Sequence, residues 1–135
     1  MRLKNWPSRF AALVASVRAR PFEWGKHDCC LWAASAVLAI TGRDPGAQWR
    51  AGYRTGRAAL LILGSIGGLE AAGAMSGRPI APALACEGDV GLVTWPCGTR
   101  SLAVRSTDAW MCAGDAGLVF LPLDAASHAW GVGRE

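Results

Sequence analysis

Two adjacent cysteines, Cys29 and Cys30, follow Asp28 at the start of a long apolar stretch. Cysteine attacks carbonyls or binds metals as the thiolate. Asp28 is a good N-cap, because its carboxylate can accept from the free N–H groups of a first helical turn. Cys29 then occupies the first helical position, where the helix dipole and the unpaired N–H groups favour a thiolate. A sulfur so placed can attack an amide carbonyl, with the oxyanion held by main-chain N–H groups at the helix start, Asp28 and Cys29. The attack also needs a base within hydrogen-bond reach. The chain holds two histidines, His27 and His128. His27 precedes Cys29 by two residues and approaches it locally. His128 approaches only if the C-terminal segment folds back over the helix. Cys29, His128 and His27 are therefore the candidate catalytic residues.

Each of them also has a purely structural reading. A free cysteine is commonly buried as a small hydrophobe. Cys30 then packs, Asp28 is only a cap, His27 is a turn residue and His128 a surface or half-buried ring. Trp24, Trp32, Trp95 and Trp110 read as core or cleft walls, and Trp6, Trp49 and Trp130 as exposed rings. A metal site is not expected, because Cys86, Cys97 and Cys112 lack the short paired spacing of zinc ligands and Cys29 and Cys30 are adjacent. No cofactor is expected either. Five cysteines, an odd number, and an N-terminus without a signal-peptide pattern point to reduced thiols.

The elements that must position Cys29 can be read in order. Pro7 to Arg18 forms a first helix, with Phe10, Leu13, Val14 and Val17 on its apolar face. Pro21 ends it and leads into a Trp24-Gly25 turn. The cysteine helix runs on through Ala33, Ala36, Val37 and Ile40, and Gly42 stops it. Thr55 caps a short helix to Leu63 with Ala58, Leu61 and Ile62 inward. Leu69 to Met75 is a further helical segment, and Pro79 and Pro82 enforce a loop. From Glu87 the pattern changes to short apolar runs separated by turns: 89–95, 101–105, 109–112 and 117–121. Residues 128–132 add a fifth strand or a final helix. Asp89 fixes a turn. Helices first and antiparallel strands later give an α+β fold.

The chain of 135 residues is expected to be one domain, 1–135. Its 52% hydrophobic and 18% charged residues suit a folded, soluble protein. The longest apolar run is too short to span a bilayer, which takes about 20 residues. Net charge is +4 with scattered arginines, so nucleic acid is not an expected partner.

Trp24-Gly25-x-x-Asp28-Cys29 resembles the nucleophile motif of NlpC-type cysteine peptidases, and Glu87-Gly88-Asp89-Val90-Gly91-Leu92-Val93 resembles that superfamily's first strand. The resemblance implies a papain-like fold, with N-terminal helices packed on a small antiparallel sheet. A closer likeness covers nearly the whole chain. Pro21 to Trp32, Thr41 to Pro45, Trp49-Arg50-x-x-Tyr53 and Gly117 to Leu123 are similar to a family of small phage and prophage proteins found among tail genes. In NlpC-type enzymes a histidine opens the next strand as base; here that position falls near Ser101, without histidine. The resemblance thus implies a distal-tail or baseplate component that binds other phage tail proteins, located in the virion tail and in the bacterial host cytoplasm during assembly. Its enzymatic alternative is a cysteine peptidase or amidase acting on peptidoglycan peptides.

Overall fold

A computed structural model describes residues 1–134; Glu135 lies outside the described residues. The order of elements is α1 (Trp6–Val17), α2 (Cys29–Thr41), α3 (Gly56–Ile66), α4 (Leu69–Ala74), then β1 (Arg78–Ile80), β2 (Val90–Thr94), β3 (Arg100–Arg105), β4 (Trp110–Gly114), β5 (Gly117–Leu121) and β6 (Ala126–Gly131). The six strands form one antiparallel sheet in the order β1-β6-β2-β3-β4-β5. The expected α+β class is therefore the observed one.

Helix α2 is the centre of the molecule. Its caps are those read from the sequence: the Asp28 carboxylate accepts from Leu31 N at 3.0 Å. Gly42, with φ of 81°, donates its N–H to Leu38 O. That left-handed conformation suits glycine, which has no Cβ to clash. The helix is apolar nearly all round because it is covered on several sides. Trp32, Ala36, Val37 and Ile40 have no exposed surface. They pack on Val90, Leu92, Leu102, Val104, Met111 and Trp130 of the sheet and on Phe10 and Val17 of α1. The Trp32 indole N–H finds its partner at Met111 O, 2.9 Å away, as a buried indole must.

Strand alternation sends the other set of side chains to the back of the sheet. Val93, Ala103, Trp110, Cys112, Leu121 and Ala129 form a second, smaller cluster there with Ala85. The chain covers this face with a 3₁₀ turn at Pro82–Leu84 and another at Leu123–Ala125. Trp110 Nε1 donates to Leu123 O at 3.2 Å.

Three sequence expectations need correction. Pro79 lies in β1, not a loop, because β1 is an edge strand and a missing N–H there can face away from the ladder. Of the two forms left open for the C-terminal segment, the strand is the one observed, β6. Trp130 is buried, stacked with the His128 ring at an interplanar angle of 13°. Leu61 points outward at 71% exposure, and α3 runs to Ile66. Four consecutive apolar residues, Leu60 to Leu63, left the inward face of α3 undetermined by periodicity. Ala59, Ile62, Leu63 and Ile66 are the ones turned toward the body of the molecule.

Candidate functional site

The start of α2 is built by a hairpin-like turn. Glu23 and His27 form an antiparallel bridge, and Gly25 sits at its tip with φ of 79°. A Cβ on Gly25 would run into the carbonyl oxygen of Tyr53, so this position needs glycine for space as well as for conformation. The close approach brings the loop that carries Trp49 and Tyr53 against the helix start. Asp28 then closes the assembly. It is 2% exposed. Its carboxylate accepts from Gly25 N at 3.1 Å, from Leu31 N and from the Tyr53 hydroxyl. Burial, then this hydrogen bond, pushes the Tyr53 phenol up, so Tyr53 stays a neutral donor.

Cys29 occupies the first helical position as expected. Its sulfur lies 3.9 Å from that of Cys30. The hydrogen bond from Cys30 lowers the Cys29 thiol below the usual cysteine range, against the opposing effect of burial; main-chain hydrogen bonds from Leu102 and Cys30 also lower it. The same bond, with burial, pushes the Cys30 thiol upward. The pair therefore ionises as one unit, with the charge favoured on Cys29.

The two imidazoles are elsewhere. His27 is buried at 2% exposure, edge-on to Trp32 at 6.0 Å between ring centres. Burial, then the nearby Arg20 charge, holds its pKa below the ordinary histidine value, with Asp28 opposing. Among the described residues its enclosed Nε2 has no hydrogen-bond partner. His128 lies on β6, two strands away from β3, with Leu92 of β2 beside it. Its Nδ1 meets Ser127 Oγ at 2.8 Å and its Nε2 lies 3.7 Å from Glu70 Oε1. Among the described residues neither ring hydrogen-bonds to the Cys29 sulfur. The element that does approach Cys29 is β3, through the main chain of Leu102. Arg100, on the same face of that strand, reaches Glu70 at 3.7 Å.

Beside the thiols is a cavity of about 290 Å³. It is enclosed by the start of α2, the Pro45–Tyr53 loop, α3, α4 and the beginning of β3, with Trp24, Leu63, Ile66, Met75 and Leu102 among its walls. Apart from the thiols its polar side chains are Asp28, Tyr53, Ser76, Thr99 and Arg100. Sequence reasoning left Trp24 as a core or cleft wall, and it is a cleft wall. The same reasoning missed the cavity itself, because five separated segments supply the lining and no local pattern links them.

The other cysteines are dispersed. Cys86 and Cys97 are exposed and Cys112 is buried, where burial pushes its thiol up to about 12. Among the described residues no group of three or more His, Cys, Asp or Glu side chains is placed to hold a metal ion. Likewise no helix among them is long and apolar enough to cross a membrane.

None of the curated proteins compared with this sequence matches it. The family described as "Domain of unknown function (DUF6950)" matches residues 1–132, and the chain belongs to that family.

Proposed function

We propose that the protein is a structural component of a phage tail, at the distal tail or baseplate, which uses a papain-like scaffold to bind other tail proteins without cutting peptide bonds. The observation that carries this reading is the surroundings of the Cys29 sulfur: another thiol and the main chain of Leu102, with neither imidazole among the described residues hydrogen-bonded to it. A cysteine hydrolase needs a group that can give a proton to the leaving amine. Cys30, with its thiol pushed upward, is a poor proton donor near neutral pH. The cavity sets a single cation, Arg100, among mostly apolar walls, which leaves a stem peptide with several charged groups short of partners. The tail assignment is supported by the likeness of Pro21 to Trp32, Trp49 to Tyr53 and Gly117 to Leu123 to phage and prophage tail-gene products. Exposed Leu60, Leu61, Leu84, Phe120 and Leu123 supply apolar surface for neighbours.

One observation favours a second reading, a cysteine peptidase or amidase acting on peptidoglycan during infection. Cys29 is biased toward thiolate beside a cavity. The two readings separate in a virion encoding Cys29→Ala. Under the first, particles assemble and infect normally, and purified protein releases no amines from peptidoglycan. Particles that assemble yet fail to infect, together with amine release by the wild type alone, would establish the enzyme instead.

A further inference from the structure

We infer that the cavity beside Cys29 is a binding site for a medium-chain alkyl carboxylate, its tail among Trp24, Leu63, Ile66, Met75 and Leu102 and its carboxylate on Arg100. The inference stands on the cavity alone and does not rest on the tail assignment.

The volume, about 290 Å³, lies at the lower end of small-molecule sites. Walls of this kind gain by covering alkyl groups and lose by burying polar ones. The ligand therefore needs a long apolar part. Its polar end is chosen by the few polar groups present. The Asp28 carboxylate already accepts from Gly25, Leu31 and Tyr53, and its negative charge repels an anion. Arg100 is the one cation among the lining side chains. It is 46% exposed, and its partner Glu70 lies at a loose 3.7 Å. A guanidinium so held has donors to spare for a carboxylate. Glu70 is itself 58% exposed, so water solvates it when Arg100 turns to a ligand. The roof is the element best able to admit a chain. Helix α3 has no buried residue, and Gly67 and Gly68 follow it, both at positive φ.

The test titrates the full chain with decanoate below its micelle concentration, with decyl alcohol and a leucine-terminated tripeptide in parallel. Tryptophan fluorescence reads binding, and maleimide labelling of individual cysteines reads its place. Exposed Cys86 and Cys97 serve as internal controls. Saturable decanoate binding is expected, slowing Cys29 labelling about fivefold at about four times the Kd by simple occupancy. Labelling of Cys86 and Cys97 should not change. Arg100→Gln should weaken decanoate about tenfold, the loss of one charge-assisted hydrogen bond, and leave the alcohol unaffected. Filling the cavity by Ala59→Trp, or by Leu63→Phe if the first variant does not fold, should abolish both. Absence of saturation overturns the inference. Binding that leaves Cys29 labelling unchanged also overturns it, because a second cleft of about 180 Å³ gathers Arg43, Arg78 and Arg134 and would then be the site. Alcohol binding as tightly as the acid removes the role of Arg100. Tighter binding of the tripeptide would make the occupant a protein C-terminus.

Discussion

At the scale of single residues, Asp28 and the thiol pair decide how the start of α2 behaves. Asp28 answers three donors from a site that is 2% exposed. Asp28→Ala leaves those donors unpaired, and an unfolding titration should register a loss of about 2–4 kcal/mol, more than an exposed cap costs. The paired thiols predict selective chemistry. Cys29 is the thiol of the pair whose pKa is lowered, and Cys30→Ala removes the hydrogen bond that lowers it. The pH midpoint for alkylation of Cys29 should then move up in Cys30→Ala. An unchanged midpoint would show that the helix start alone lowers the thiol. His27 carries a pH signature. Its folded pKa lies below the model-peptide value of about 6.5. The unfolded chain therefore binds the proton more readily. The stabilisation is complete above that value and is lost as pH falls toward the folded pKa. Unfolding free energy measured downward from pH 7 should decline in the wild type and decline less in His27→Gln.

Among elements, the caps of α2 and α3 were legible because capping residues have a local mechanism. Asp28, Gly42 and Thr55 each do what their types imply, and Thr55 Oγ1 accepts from Ala58 N at 3.1 Å. The face of α3 and the strand at Pro79 were not legible. The first needs to know where the cavity is, and the second needs to know that β1 lies at an edge. The Gly25 turn links two elements, since only the absence of a Cβ lets the Tyr53 main chain lie against it. Gly25→Ala should destabilise by about 2 kcal/mol or more, through both the positive φ and the collision. The same variant should expose Tyr53, which near-ultraviolet circular dichroism would register.

Across the whole molecule, Asp89 joins the two ends of the chain. It has no exposed surface. Its carboxylate meets the Arg2 guanidinium at 3.0 Å, Val132 N at 3.0 Å, Cys86 N at 2.9 Å and the Arg134 guanidinium. Read from the sequence it fixed only a turn. It does so through Cys86, and the partners far along the chain were beyond any local pattern. Asp89→Ala should cost about 2–4 kcal/mol in unfolding experiments, because the Val132 and Cys86 N–H groups lose their acceptor and two partly buried guanidiniums lose their counter-charge. The α+β order was readable from the change of pattern at Glu87. The cavity was not, because it is assembled from segments spread between Trp24 and Leu102. Among the described residues no imidazole hydrogen-bonds to Cys29. The most direct test is the rate of Cys29 alkylation against pH in the wild type, His128→Ala and His27→Gln, each with its fold checked by circular dichroism. Three superimposable profiles are predicted. A profile in either variant that loses the low-pH reactivity of the wild type would place a working thiolate–imidazole pair in this protein and overturn the structural role.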